Sequence, residues 1–84
     1  MNFVLRVTKN KGLALVERLQ SKRRAIERTY RKETGERLVF GAMAARPRSV
    51  SVIVAGECRV NCVSDAIGEH LGDLAEFVKL PYWG

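Results

Sequence analysis

Between residues 10 and 33 the apolar side chains Leu13, Val16, Leu19, Ile26 and Tyr30 recur at intervals of three, three, seven and four. A backbone turning once every 3.6 residues gathers such positions on one face. The stretch is therefore expected to be a helix that needs an apolar surface to cover its stripe. That surface is legible in two flanking segments. In residues 2–8, Phe3, Leu5 and Val7 alternate with Val4, Arg6 and Thr8, and in residues 49–55, Val50, Val52 and Val54 alternate with Ser49, Ser51 and Ile53. A period of two puts one apolar face on a strand. Thr8 or Asn10 is expected to cap the helix start, and Thr34-Gly35 to end it, because glycine accepts the left-handed conformation common just past a helix.

One residue breaks the stripe. At 100° per residue Arg23 falls between Leu19 and Ile26, where an unpaired charge is costly to bury. Either Ser21 caps a second short helix, or Arg23 extends its head to water from the edge of a continuous one. The spacing favours a single bent helix.

The other segments complete the pattern. Residues 38–44 are apolar on both faces, which predicts a central strand, and Arg46-Pro47-Arg48 is a turn. After Gly56-Glu57, Cys58, Val60 and Cys62 alternate with Arg59 and Asn61, which predicts a further strand entered through a hairpin rather than one strand of uncommon length. Ser64 or Asp65 is expected to cap a last helix with the core stripe Ile67, Leu71, Leu74 and Val78. Gly68, Gly72 and Ala75 form a second stripe of small residues on it, and Pro81 ends it. The expected fold is α+β in the order β-α-β-β-β-α, with room for a short last strand at the tail. It is an antiparallel sheet with two helices packed on one face, forming a single small basic domain over residues 1–84. The other sheet face is expected to be partly open, with Arg6, Thr8, Ser51, Arg59 and Asn61 as candidates for it.

Eighty-four residues at a net charge of +6 make a small basic chain. The charge is uneven: from Ser64 onward Asp65, Glu69, Asp73 and Glu76 face Lys79 alone. Basic surfaces favour polyanions or acidic protein faces through long-range attraction. Two cysteines, no long apolar run and no signal-peptide pattern predict a cytoplasmic protein with reduced thiols and no membrane span.

Few residues suit bond-making chemistry. Cys58, Cys62 and His70 fall short of the four ligands usual in a structural zinc site, so no metal and no cofactor is expected. His70, the single histidine, is predicted on the outer side of the last helix as a solvated residue, and no phosphate loop, paired His-Glu helix or Gly-x-Ser-x-Gly is present. In size, charge and order of elements, with no accompanying motif, the chain resembles small bacterial toxins that cut messenger RNA; that resemblance implies ribonuclease activity run by arginine, lysine and a tyrosine or histidine.

The strongest functional signal lies in residues 21–32, which hold Lys22, Arg23, Arg24, Arg28, Arg31 and Lys32 with Glu27 as the only acid. Arg24 with Arg28, and Arg28 with Lys32, are like-charge pairs four apart, each costing a few tenths of a kcal/mol in an isolated helix. Arginine's planar fork suits phosphates or carboxylates. The expected function is non-enzymatic nucleic-acid binding, RNA or DNA, through Arg18, Lys22, Arg24, Arg28, Arg31 and Lys32 along a phosphate backbone, with Arg46 and Arg48, and Arg37 after the helix, extending the patch. The alternative is a small inhibitor or adaptor of phage or mobile-element type, such as an anti-defence protein, that sets the same arginines against an acidic or nucleic-acid-binding face of a host protein; the ribonuclease toxin ranks third. Tyr82 and Trp83 either stack on bases or close the core.

Overall fold

The computed structural model describes residues 2–8 and 10–79. Strand β1 (Asn2–Val7) leads into helices α1 (Gly12–Ser21) and α2 (Arg23–Thr34), then the hairpin β2 (Phe40–Arg46) and β3 (Ser49–Val54), helix α3 (Val60–His70), a 3-10 helix (Gly72–Phe77) and the two-residue strand β4 (Val78–Lys79). The fold is α+β. The sheet is antiparallel in the order β2-β3-β1-β4, with β4 a short addition to three longer strands. Tyr82 and Trp83 lie outside the described residues.

Alternation fixes the sheet as the sequence implied. Leu5, Val50, Val52 and Val54 are buried and meet Leu15, Leu19, Ile26, Tyr30, Val63 and Ile67 of the helices in one core. Arg6 and Ile53, on the alternate positions, are exposed on the side away from the helices. All three helices thus share one sheet face, and among the described residues no element covers the other.

Several expectations are corrected. The single bent helix is two helices separated by Lys22 alone, whose backbone leaves helical values at φ −101° and ψ 9°. The hydrogen-bond ladder runs across the joint, from Lys22 N–H to the Arg18 carbonyl and from Ile26 N–H to the Lys22 carbonyl, both 2.9 Å, with no side-chain cap. Leu13 is 67% exposed, and Gly12, Leu15, Val16 and Leu19 form the buried stripe of α1 in its place.

The segment expected at the sheet centre is an edge strand. Gly41, Ala42, Ala44 and Ala45 are exposed, and a register shift between Phe40 and Met43 marks a bulge. Small apolar residues lose little by exposure, so their run on both faces was weak evidence for burial.

The strand expected across Cys58, Val60 and Cys62 is absent: Gly56 turns the chain at φ +69°, residues 57–59 are irregular, and α3 begins at Val60. The helical spacing of Val63, Ala66, Ile67 and Leu71, all buried, outweighs three alternating residues. Arg59 and Asn61 consequently leave the sheet. Ser64 is 2% exposed inside α3 and caps nothing. The last helix is also shorter than its stripe implied, because Gly72 takes φ +59° and diverts the chain into the 3-10 helix. Val78 buries as part of β4, paired with Val7.

At Gly12 the start of α1 crosses the β2–β3 hairpin so closely that a Cβ would stand 3.0 Å from the Arg46 carbonyl oxygen. Gly12→Ala is expected to lower unfolding stability by about 1 kcal/mol, since the strain of overpacking exceeds what alanine gains at the first helical position. Urea titration followed by circular dichroism reads this; a raised midpoint would show that the contact relaxes freely.

Candidate functional site

The sequence places Arg24, Arg28 and Arg31 four and three residues apart, which is one face of α2. In the folded chain that face meets residues 37–38 as they return from the helix end toward β2. Gly35 makes the return possible by capping α2 at φ +74°, and Thr34 fixes it, its hydroxyl donating to the Tyr30 carbonyl at 2.8 Å and accepting from Glu36 N–H at 3.1 Å. The result is a groove of about 540 Å³ lined by Arg24, Arg28 and Arg31 on one wall, Arg37 and Leu38 on the other, with Glu27 between. It continues past Arg24 and Arg37 into a second recess reaching Gln20, Ser21 and Val39.

Arg23 explains how the groove is built. Its guanidinium donates to the Phe40 carbonyl and lies 3.6 Å from the Glu27 carboxylate, while Glu27 accepts from Phe40 N–H at 3.2 Å. The pair Arg23 and Glu27 thus satisfies both backbone groups that Phe40 turns away from β3, and it covers that end of the edge strand. Arg23 interrupts the apolar stripe because its partner is strand backbone. The side chain is 44% exposed, so only part of it leaves water.

Engaging Glu27 has an electrostatic consequence. Among the described residues it is the one acid lining the groove, and its carboxylate is already occupied by Arg23 and Phe40. Among the described residues Arg24, Arg28, Arg31 and Arg37 have no carboxylate within ion-pair distance, and all four are exposed. Four cations around one concave surface raise the local concentration of anions.

The remaining sequence candidates are distributed differently. Arg18 is half-buried on α1 beside the 3-10 helix, where it lines a recess with Asp73 and Leu74, away from the α2 groove. The break at Lys22 separates it from the arginines of α2. Lys22 is exposed at the joint itself, and Lys32 is exposed in the last turn of α2 outside the groove lining. Arg46 and Arg48 are exposed at the β2–β3 turn. Six residues of extended strand separate Arg46 from Phe40, about 20 Å, so these two arginines do not extend the groove. Arg37 does. Sequence reasoning gave Arg37 a secondary place and paired Glu27 with Arg23 through their four-residue offset; the bond from Phe40 N–H to Glu27 joins distant segments and had no local signal.

A second polar cluster holds the groove wall in place. Tyr30 is fully buried, its hydroxyl accepting from Arg59 N–H at 2.9 Å and donating toward Glu36 at 3.4 Å, with the Arg59 guanidinium 3.5 Å from Glu36. It ties residues 35–36 to the start of α3. His70, expected to be solvated, is half-buried and shares a 2.9 Å hydrogen bond with Thr29 of α2. Burial pushes the Cys58 thiol above its ordinary pKa, and the nearby Glu36 carboxylate adds to the effect, which disfavours the nucleophilic thiolate. Among the described residues no group of three or more His, Cys, Asp or Glu is placed to hold a metal ion, and no helix is long and apolar enough to cross a membrane.

Compared with protein-family models, curated proteins and solved structures, the chain matches none.

Proposed function

We propose that the chain is a non-enzymatic nucleic-acid-binding protein that grips a phosphate backbone in the groove between α2 and residues 37–38. The observation carrying this reading is the convergence of Arg24, Arg28, Arg31 and Arg37 on one concave surface whose only acid is held by Arg23 and Phe40. Arg24 and Arg31 are separated by seven helical residues, about 10 Å along the axis, so the wall follows a short run of phosphates. Among the described residues no aromatic side chain lines the groove, and the one amide, Gln20, lies in the adjoining recess, which favours backbone contact over base readout.

Counterion release makes the proposal quantitative. If the four arginines each neutralise one phosphate, the slope of log affinity against log salt is about −3 for a single strand and about −4 for a duplex. Fluorescence anisotropy of a labelled oligonucleotide across a salt series measures it, and a slope near zero, or no binding at low salt, overturns the reading. The same groove also suits the carboxylates of an acidic protein face. Affinity purification with and without nuclease separates the two, because a protein partner survives nuclease treatment.

A further inference from the structure

We infer that the chain carries a second phosphate-binding surface on the open face of the sheet, at the β2–β3 hairpin end, and that the protein therefore bridges two nucleic-acid segments. The inference rests on the nucleic-acid reading for the identity of its ligand, and on the strand register for its site.

Register places the residues. Ser49 of β3 pairs with Arg46 of β2 on one side and with Arg6 of β1 on the other, and Arg6 pairs in turn with Lys79 of β4. Cross-strand partners share a sheet face. Leu5 and Val50 on the neighbouring positions are buried against the helices, so Arg46, Ser49 and Arg6 belong to the open face. Arg46 and Arg6 are both exposed, and Arg48 is exposed in the adjoining turn. Two strand spacings of about 4.8 Å separate Arg46 from Arg6, about 10 Å in all. That distance spans about three nucleotides of a strand at 3.4 Å each.

The strands that form this face carry cations and no acid. None of the nine acids in the chain lies in a strand. Alongside the row, the alternate positions Val4, Ala44, Ser51 and Ile53 are uncharged, so the cations stand out from an otherwise neutral surface. An acidic protein face would meet the same charge; the narrow transverse row of cations suits a linear polyanion better.

Position makes the two surfaces independent. The groove flanks α2 on the helix layer, and the row lies on the opposite side of the sheet at the far end of β2, about 20 Å along the strand. This exceeds the Debye length of about 8 Å at physiological salt, so occupation of one site is weakly felt at the other. A single small strand that fills the groove leaves the row available to a second.

The test mixes donor-labelled and acceptor-labelled oligothymidine with the protein, reading anisotropy for binding and energy transfer between oligonucleotides for bridging. The wild-type chain is expected to bind and give transfer. Arg46→Glu with Arg48→Glu, and separately Arg24→Glu with Arg28→Glu, are each expected to keep binding while losing transfer, and the fourfold variant is expected to lose both. Circular dichroism confirms folding, and Arg46→Gln with Arg48→Gln serves in place of the reversal if that variant is unfolded. Binding by the wild-type chain without transfer overturns the bridging inference, as does transfer that survives the hairpin substitutions. Complete loss of binding in the Arg24 and Arg28 variant overturns the second site and leaves the groove standing. Unchanged binding in that variant, with loss in the hairpin variant, overturns the groove instead, and no binding by the wild-type chain overturns both.

Discussion

Tyr30→Ala is expected to lower the unfolding free energy by about 3 to 5 kcal/mol, the cost of removing a large buried aromatic side chain from a close-packed core. Chains of this length hold about 4 to 13 kcal/mol in total, so the variant is expected to lose a large share of its stability. The site explains the size of the effect. The Tyr30 ring is fully buried at the contact of α2 with α3, and its hydroxyl receives Arg59 N–H at the start of α3. Tyr30→Phe separates the two contributions: it keeps the ring and removes the hydroxyl's contacts to Arg59 N–H and Glu36, at a cost of about 1 to 3 kcal/mol. Because that bond and the Glu36 contact hold residues 35–36, Tyr30→Phe is also expected to weaken oligonucleotide binding modestly by loosening Arg37. Equal urea midpoints for Tyr30→Ala and the wild-type chain would show that the core repacks around the gap.

Sequence reading succeeded where one face is buried and one is wet. The alternation in β1 and β3 gave strands, sheet face and core together, since shifting either by one residue would exchange Val50 and Val52 for Ser49 and Ser51. Gly35 was readable for a related reason: a helix end needs a residue that tolerates positive φ. Position within the sheet was not readable. β2 consists largely of glycine and alanine, whose burial changes little free energy, so no pattern in it distinguishes an edge from a centre. Cys58 to Cys62 misled because three alternating residues fit a strand while the decisive helical spacing begins further on, at Val63. Of the residues lining the groove, Arg24, Arg28 and Arg31 were legible together from local spacing. Arg46 and Arg48 were joined to them only by charge, and the length of β2 separates them. Arg37 owes its place in the groove to the return of the chain after Gly35, which is a tertiary property.

Glu27 gives the sharpest opposition between stability and binding. Glu27→Leu removes the acceptor for Phe40 N–H and the carboxylate beside Arg23, and Phe40 is a core residue with 1% exposure. Leaving that backbone group without a partner is expected to cost about 1 to 3 kcal/mol. The partly exposed ion pair with Arg23 adds less than about 1 kcal/mol. Glu27→Gln keeps an oxygen acceptor for Phe40 and removes the charge, so its stability loss is expected to be under about 1 kcal/mol. Binding moves the other way in both variants. Deleting the one negative charge in the groove removes a repulsion on any phosphate held there, and affinity is expected to rise about two- to fivefold at low salt, less as salt screens it. A site elsewhere on the molecule would be nearly indifferent to the change. Urea unfolding and oligonucleotide anisotropy on the same two variants therefore test the clamp and the groove at once: stability should separate Leu from Gln, and affinity should not. If Glu27→Gln left affinity unchanged at low salt while the wild-type chain bound, the phosphates would lie outside this groove. If Glu27→Leu were as stable as the wild-type chain, the hydrogen bond from Phe40 N–H to Glu27 would contribute nothing to the fold.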